Sequence, residues 1–209
     1  VKERLFKKEN AEKLLVFYLG WGMDESPFVP VFVKEPFDVL FIYDYRKIKP
    51  PSLPRGYKSI KILAWSSGVP VALKFHENVL CVAGTGAIYH ARYGIPPRVF
   101  DATLWALKKD SEKTLLAFYR NMFDEEKDFY LFMKNRPKRI HSQIIEELEA
   151  IKEQKIFFPE NAKAIVTSSD RIIPAKNQER FWNQTGVKTR KISASHFPFY
   201  RFSLSELLG

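Results

Sequence analysis

The 209-residue chain is 45% hydrophobic and 28% charged with a formal net charge of +10, a balance that excludes a disordered chain and leaves room for one sizeable core. Nowhere do 18 apolar residues run uninterrupted, so no membrane span is expected, and the charged start Val1 to Lys13 lacks the apolar centre of a secretory signal. The single cysteine, Cys81, excludes an intramolecular disulfide and a zinc site of several thiolates; the expected compartment is the cytoplasm.

Six short apolar runs bounded by turn residues are expected as strands: Leu14–Leu19, Val39–Tyr43, Ile60–Ala64, Leu80–Ala83, Ala164–Thr167 and Arg190–Ile192. They lack apolar–polar alternation, the pattern of strands covered on both faces. Most hand over to Gly, Ser or Asp, so a mostly parallel sheet with crossover helices is expected. Between the fourth and fifth runs the pattern changes. From about Pro97 to Lys155 apolar residues fall at helical spacing: Leu115, Phe118 and Met122, then Phe129, Phe132 and Met133, then Ile140, Ile144, Leu148 and Ile151. This segment is expected as a helical lid insertion in a single 1–209 α/β domain, broken near Arg136-Pro137 because proline disfavours helix at the residue before it.

The third run ends in Ala64-Trp65-Ser66-Ser67-Gly68. A strand closing on small–x–Ser–x–small is the requirement of a nucleophile elbow, whose tight turn tolerates only small side chains two residues either side of the serine. Ser66, and not Ser67, meets that condition. A serine needs a base and the base an orienting carboxylate. His196 follows the last run in Ser193-Ala194-Ser195-His196-Phe197-Pro198-Phe199, and Asp170 follows the fifth in Ile165-Val166-Thr167-Ser168-Ser169-Asp170. Taken singly, Asp170 could cap a helix and His196 could pack a core. Their chain order, Ser, Asp, His, with each after a strand, is that of the α/β-hydrolase fold. The early turn Gly20-Trp21-Gly22 and the residue after the serine offer the backbone N–H groups of Trp21 and Ser67 as oxyanion donors.

Gly20-Trp21-Gly22, Ala64-Trp65-Ser66-Ser67-Gly68 and Ser195-His196-Phe197-Pro198-Phe199 resemble pimeloyl-acyl carrier protein methyl ester esterases, enzymes of biotin precursor synthesis. Tyr43-Asp44-Tyr45-Arg46, Ala83-Gly84-Thr85 and Tyr93-Gly94-Ile95-Pro96 are similar to stretches of the compact BioG type. Two departures stand out: Leu19 occupies the place where many related hydrolases carry histidine, and Ala64 the place of the usual glycine.

The resemblance implies an α/β-hydrolase that cleaves a distal methyl ester while sparing a thioester to the carrier, with acyl carrier protein as partner. His76, His90 and His141 show no ligand spacing, and serine ester hydrolysis needs no metal or cofactor, so none is expected. Such a task calls for an apolar passage, for which Phe118, Met122, Phe129, Phe132 and Met133 are candidates. It also calls for a cationic rim facing the acidic carrier. Lys134, Arg136, Lys138 and Arg139 are the first candidates, with Arg92 and Arg98 as alternatives. The stretch Arg46–Lys74, with seven basic and no acidic residues, is another source of positive field. A small-ester carboxylesterase or a thioesterase would use the same triad. Outside this class, the basic run Lys134-Asn135-Arg136-Pro137-Lys138-Arg139 leaves a nucleic-acid binder as a competing but disfavoured reading, with no recognised nucleic-acid module to support it.

Overall fold

The computed structural model describes residues 1–209. Its centre is a seven-stranded sheet of β1 (Lys2–Phe6), β2 (Lys13–Tyr18), β3 (Asp38–Tyr43), β4 (Ser59–Trp65), β5 (Val79–Val82), β6 (Ala162–Thr167) and β7 (Lys188–Ile192), in the order β1-β3-β2-β4-β5-β6-β7. All neighbours run parallel except β1, which pairs antiparallel with β3. Each of the six expected runs lies on one of these strands. The sequence reading missed β1: its Lys-Glu-Arg start carries no buried face, as suits an edge strand.

Both faces of the sheet are covered, which is why β2 and β3 read as unbroken apolar runs. On one face Val16, Tyr18, Ile42 and Ala64 pack against α2 (Gly68–Ala72) and Phe181 and Trp182 of α7 (Ala175–Thr185). The opposite face presents Phe17, Phe41 and Trp65 to α1 (Val29–Phe32), to α8 (Leu204–Leu208) and to the segment between β5 and β6. That segment forms α3 (Pro97–Lys109), α4 (Ser111–Asn121), α5 (Glu126–Lys134) and α6 (His141–Lys152), where the sequence places its helical insertion. Arg136-Pro137 falls in the α5–α6 connection as expected. A further break occurs at Asp110, an extended residue whose side chain accepts from Lys113 N and starts α4. Another falls between Asn121 and Glu126. No helix is long and apolar enough to cross a membrane.

The sheet is doubly wound. From β2 the chain moves outward to β3, then returns across β2 to β4, so the strand order reverses at β2, the place where open α/β sheets bind ligands beyond the carboxyl ends of their strands. Pairing of Tyr18 with Ala64 sets the ends of β2 and β4 level, and pairing of Thr167 with Ile192 does the same for β6 and β7. The loops carrying Trp21, Ser66, Asp170 and His196 therefore leave the sheet at one edge.

Candidate active site

Ser66 is the sole non-glycine of its turn with a left-handed backbone, φ +54°, a conformation an L-residue holds only when its surroundings enforce it. The enforcement is visible. Ser66 N donates to Val82 O of β5 at 3.1 Å, and Ala64 before it is fully buried. A Cβ on Gly68 would lie 2.6 Å from the carbonyl oxygens of Tyr18 and Leu19, and one on Gly84 would lie 2.6 Å from Ser66 O. The turn is thus wedged between the ends of β2 and β5, and only small residues fit around it.

The imidazole of His196 lies between Ser66 and Asp170. Nδ1 is 2.8 Å from Asp170 Oδ2, and Nε2 is 3.0 Å from Ser66 Oγ. A carboxylate acceptor requires the proton on Nδ1, which leaves Nε2 free to accept from the Ser66 hydroxyl. The histidine loop is held from both sides: Trp65 Nε1 donates to His196 O at 2.8 Å, and Phe197 N donates to Met122 O at 3.2 Å. His196 is fully buried.

Asp170 is also buried, and its carboxylate meets the cost of that position with further donors. Oδ2 accepts from Thr167 Oγ1 at 3.0 Å and Gln178 Nε2 at 2.9 Å, while Oδ1 accepts from the backbone N–H groups of Ile172 and Ile173 at 2.8 and 2.9 Å. Thr167 and Gln178 escaped the sequence reading; only the fold brings α7 against the end of β6.

The Gly20-Trp21-Gly22 turn lies beside Ser66. A Cβ on Gly20 would meet the Trp65 ring at 2.9 Å, and Gly22 has φ +73°, so neither position accepts a side chain without strain. The N–H groups of Trp21 and Ser67 donate to no acceptor within the protein, although both residues are buried. Unpartnered N–H groups are rare in buried residues, and these two belong to the two loops expected to supply oxyanion donors. Leu19 holds no imidazole, and the fully buried Tyr45 ties this region instead, its hydroxyl donating to Leu19 O at 2.7 Å and Ile42 O at 3.0 Å.

Helix α6 also reaches this loop. Trp21 Nε1 donates to Ile144 O at 2.8 Å and Gly22 N to Glu147 Oε2 at 3.3 Å. Burial raises the Glu147 carboxyl above its ordinary value, while Arg139 pulls the other way. Glu147 carried no recognisable signal, because its partners Gly22 and Tyr45 lie far away in the chain. Tyr45 stood in a stretch of the resemblance, but nothing local gave it this role.

A cleft of about 520 Å³ opens between α3 and α4, lined by Val99, Ala106, Ala117 and Phe118 and also by Trp21 and Ile172. Of the five residues expected to line a passage, Phe118 lines this cleft and meets the Trp21 ring edge-on at 4.9 Å. Met133 lines a different one, and Phe129 packs against the core beneath the Arg120 guanidinium. Met122, just past the end of α4, and Phe132 on α5 require correction: they line neither cleft, and both are fully buried in the main core.

Among the expected docking residues, Arg92, Arg98, Lys134, Arg136 and Lys138 are exposed. Arg98 borders the α3–α4 cleft, whereas Lys134, Arg136 and Lys138 border the second cleft, of about 490 Å³. Arg139 is the exception, and its expected role is corrected. Its side chain is 2% exposed and spent on Glu147 at 2.7 Å and Asp44 at 3.3 Å. The alternative source of field is also poorly placed: Lys58 just before β4 and Lys61 early in it lie about 26 and about 17 Å of strand from Ser66 at ~3.3 Å per residue, and Lys58 is paired with Glu12.

Residues 2–208 match the family model described as "Pimeloyl-ACP methyl esterase BioG". A Bacteroides fragilis protein named malonyl-[acyl-carrier protein] O-methyltransferase is 33% identical over 198 residues; the match covers 89% of this chain and 40% of that protein, so the chain spans less than half of that relative. The crystal structure of selenomethionine-substituted BioG from Haemophilus influenzae superposes with a TM-score of 0.83 at 27% identity, covering 100% of both chains. An esterase from Exiguobacterium antarcticum shares the fold, with a TM-score of 0.74 at 14% identity over 95% of this chain and 89% of its own. The fold is that of the α/β-hydrolases, and the chain belongs to the BioG family of pimeloyl-ACP methyl esterases.

Proposed function

We propose that the chain is a serine carboxylesterase that frees the distal carboxylate of a pimeloyl methyl ester carried on acyl carrier protein. The observation that carries this reading is the unbroken chain Ser66–His196–Asp170, at 3.0 and 2.8 Å, beside two unpartnered N–H groups.

The mechanism follows from that geometry. Ser66 Oγ adds to the ester carbonyl as His196 Nε2 takes the hydroxyl proton, and the imidazolium is held in orientation by Asp170. The carbonyl oxygen becomes an oxyanion, to which the N–H groups of Trp21 and Ser67 donate. Collapse expels methanol, which leaves with the proton from Nε2. Water then enters, gives a proton to the same nitrogen and attacks the acyl-enzyme; the second collapse returns Ser66 and releases the acid.

Such a substrate carries two cleavable acyl bonds, and the thioester is no less reactive than the ester. Position decides between them. The α3–α4 cleft is apolar along most of its wall and reaches Trp21, which supports its use as the acyl passage. The exposed cations Arg92, Arg98, Lys134, Arg136 and Lys138 support docking of an acidic carrier at the outer side of the insertion, which would then serve as a lid. Incubating carrier-linked pimeloyl methyl ester with wild-type and Ser66→Ala protein tests the reading. The wild type should release methanol and no free carrier thiol. Turnover by Ser66→Ala would overturn the nucleophile, and release of thiol would overturn the bond assignment.

A further inference from the structure

Glu147 is fully buried on α6 and touches none of the three triad residues, yet it holds two loops of the site edge. Its Oε2 accepts from Gly22 N at 3.3 Å and Arg139 Nη1 at 2.7 Å, while Oε1 accepts from Tyr45 N at 2.9 Å. Arg139, itself buried, reaches onward to Met23 O at 3.3 Å and Asp44 at 3.3 Å. Ahead of α6, Lys138 N donates to Asp24 Oδ2 at 2.7 Å, and within it Ile144 O accepts Trp21 Nε1.

Trp21 is therefore held at both ends by one helix. Its indole is tied to Ile144 O, and the peptide linking it to Gly22 is tied to Glu147. The Trp21 N–H itself belongs to the preceding peptide, whose Gly20 O accepts from Met23 N at 3.3 Å. Gly22, with φ +73°, has no side chain of its own to stiffen it, so Glu147 at Gly22 N holds the far side of this turn and acts on the Trp21 N–H through the Trp21 backbone. At the neighbouring position, Leu19 offers no polar side chain to do so.

We propose that Glu147 is a positioning residue whose carboxylate, aligned by Arg139, aims the Trp21 N–H at the developing oxyanion. The inference rests on the serine-esterase reading above and deepens it. A carboxylate is needed because both oxygens must accept, one of them from two donors. A glutamine in its place accepts at one oxygen only and turns an NH2 group against either Tyr45 N–H or the Gly22 and Arg139 donors.

The test uses Glu147→Gln with three readouts. The first is kcat and KM on a short aryl ester. The second is affinity for a short alkyl trifluoromethyl ketone, to whose carbonyl Ser66 Oγ adds while the proton passes to His196 Nε2 and the negative charge stays on the former carbonyl oxygen. The third is affinity for the alkyl carboxylic acid of the same chain length, which forms no tetrahedral adduct. Complete loss of one oxyanion donor costs on the order of 10²–10³ in rate, so a misaimed donor is expected to lower kcat by about 10- to 100-fold. Ketone affinity should fall by the same factor, with KM and acid affinity changed less than about threefold. Unchanged kcat in folded Glu147→Gln, or equal losses of ketone and acid affinity, would overturn the proposal. Trp21→Phe removes the second tether and covers the case in which Glu147→Gln does not fold: a loss of ketone affinity exceeding that of acid affinity supports the same role, and equal losses refute it. Turnover by Ser66→Ala would sink the esterase reading and this inference together, whereas an inactive Ser66→Ala beside an unimpaired Glu147→Gln would sink this inference alone.

Discussion

Gly68 carries much of the local constraint on Ser66. A methyl group at Gly68 would sit 2.6 Å from two carbonyl oxygens, too close for any rotamer to relieve, so Gly68→Ala must move β2 or the elbow. Overpacking of this kind costs about 1–3 kcal/mol; thermal denaturation should show it, together with loss of esterase turnover. Asp170→Asn leaves the volume nearly unchanged but presents an NH2 group to a ring of donors and removes the acceptor that keeps the proton on His196 Nδ1. Its kcat is expected to fall on the order of 10⁴ while the fold persists, and a decrease below tenfold would contradict the role given to Asp170. The triad was legible because each member follows a strand in a fixed order and the elbow carries a steric signature. Gln178, Thr167, Tyr45 and Glu147 were not. Glu147 meets Gly22 from 125 residues away in the chain, which no local spacing encodes, while Thr167 and Gln178 lie close to Asp170 in sequence but carry no motif that marks them as its donors.

Helix α5 shows why helical spacing identifies an element more readily than its task. Phe129, Phe132 and Met133 stand at i, i+3 and i+4, the spacing of one helical face, and the same pattern serves a cleft wall or a core. In the structure Phe132 is fully buried while Phe118 on α4 faces the cleft. The two should separate experimentally. Phe132→Ala is expected to cost about 3–5 kcal/mol of stability with kcat/KM of the surviving folded protein little changed. Phe118→Ala should raise KM for the acyl substrate with a smaller loss of stability; the reverse pattern would place the passage along α5. Edge strand β1 escaped notice for a related reason, since only Leu5 and Phe6 of Lys2–Phe6 are apolar and pairing with β3 supplies what composition lacks.

Across the molecule, the excess of positive charge divides into paired and free parts that the sequence alone could not separate. Arg139 and Arg46 hold Asp44, whereas Lys134, Arg136 and Lys138 stand exposed. Burial alone would raise the Asp44 carboxyl, yet the Arg46 hydrogen bonds and the charges of Arg139, Arg46 and Lys2 hold it below its ordinary value of 3.8. A depressed carboxyl in the folded state adds stability above its ordinary value and loses it as pH falls through the folded one. Asp44→Asn should therefore melt below wild type at neutral pH, with the gap closing below about pH 4; asparagine tolerates the left-handed backbone of φ +66° found there. If the exposed cations guide an acidic carrier, added salt should lower kcat/KM for the carrier-linked ester and leave a short aryl ester unaffected. The most direct measurement is the mass of active-site peptides after rapid quenching with the carrier-linked methyl ester. An acyl group on the peptide containing Ser66, absent from Ser66→Ala, is the predicted result, with the thioester to the carrier intact; turnover with no acylated Ser66 at any time would contradict the account.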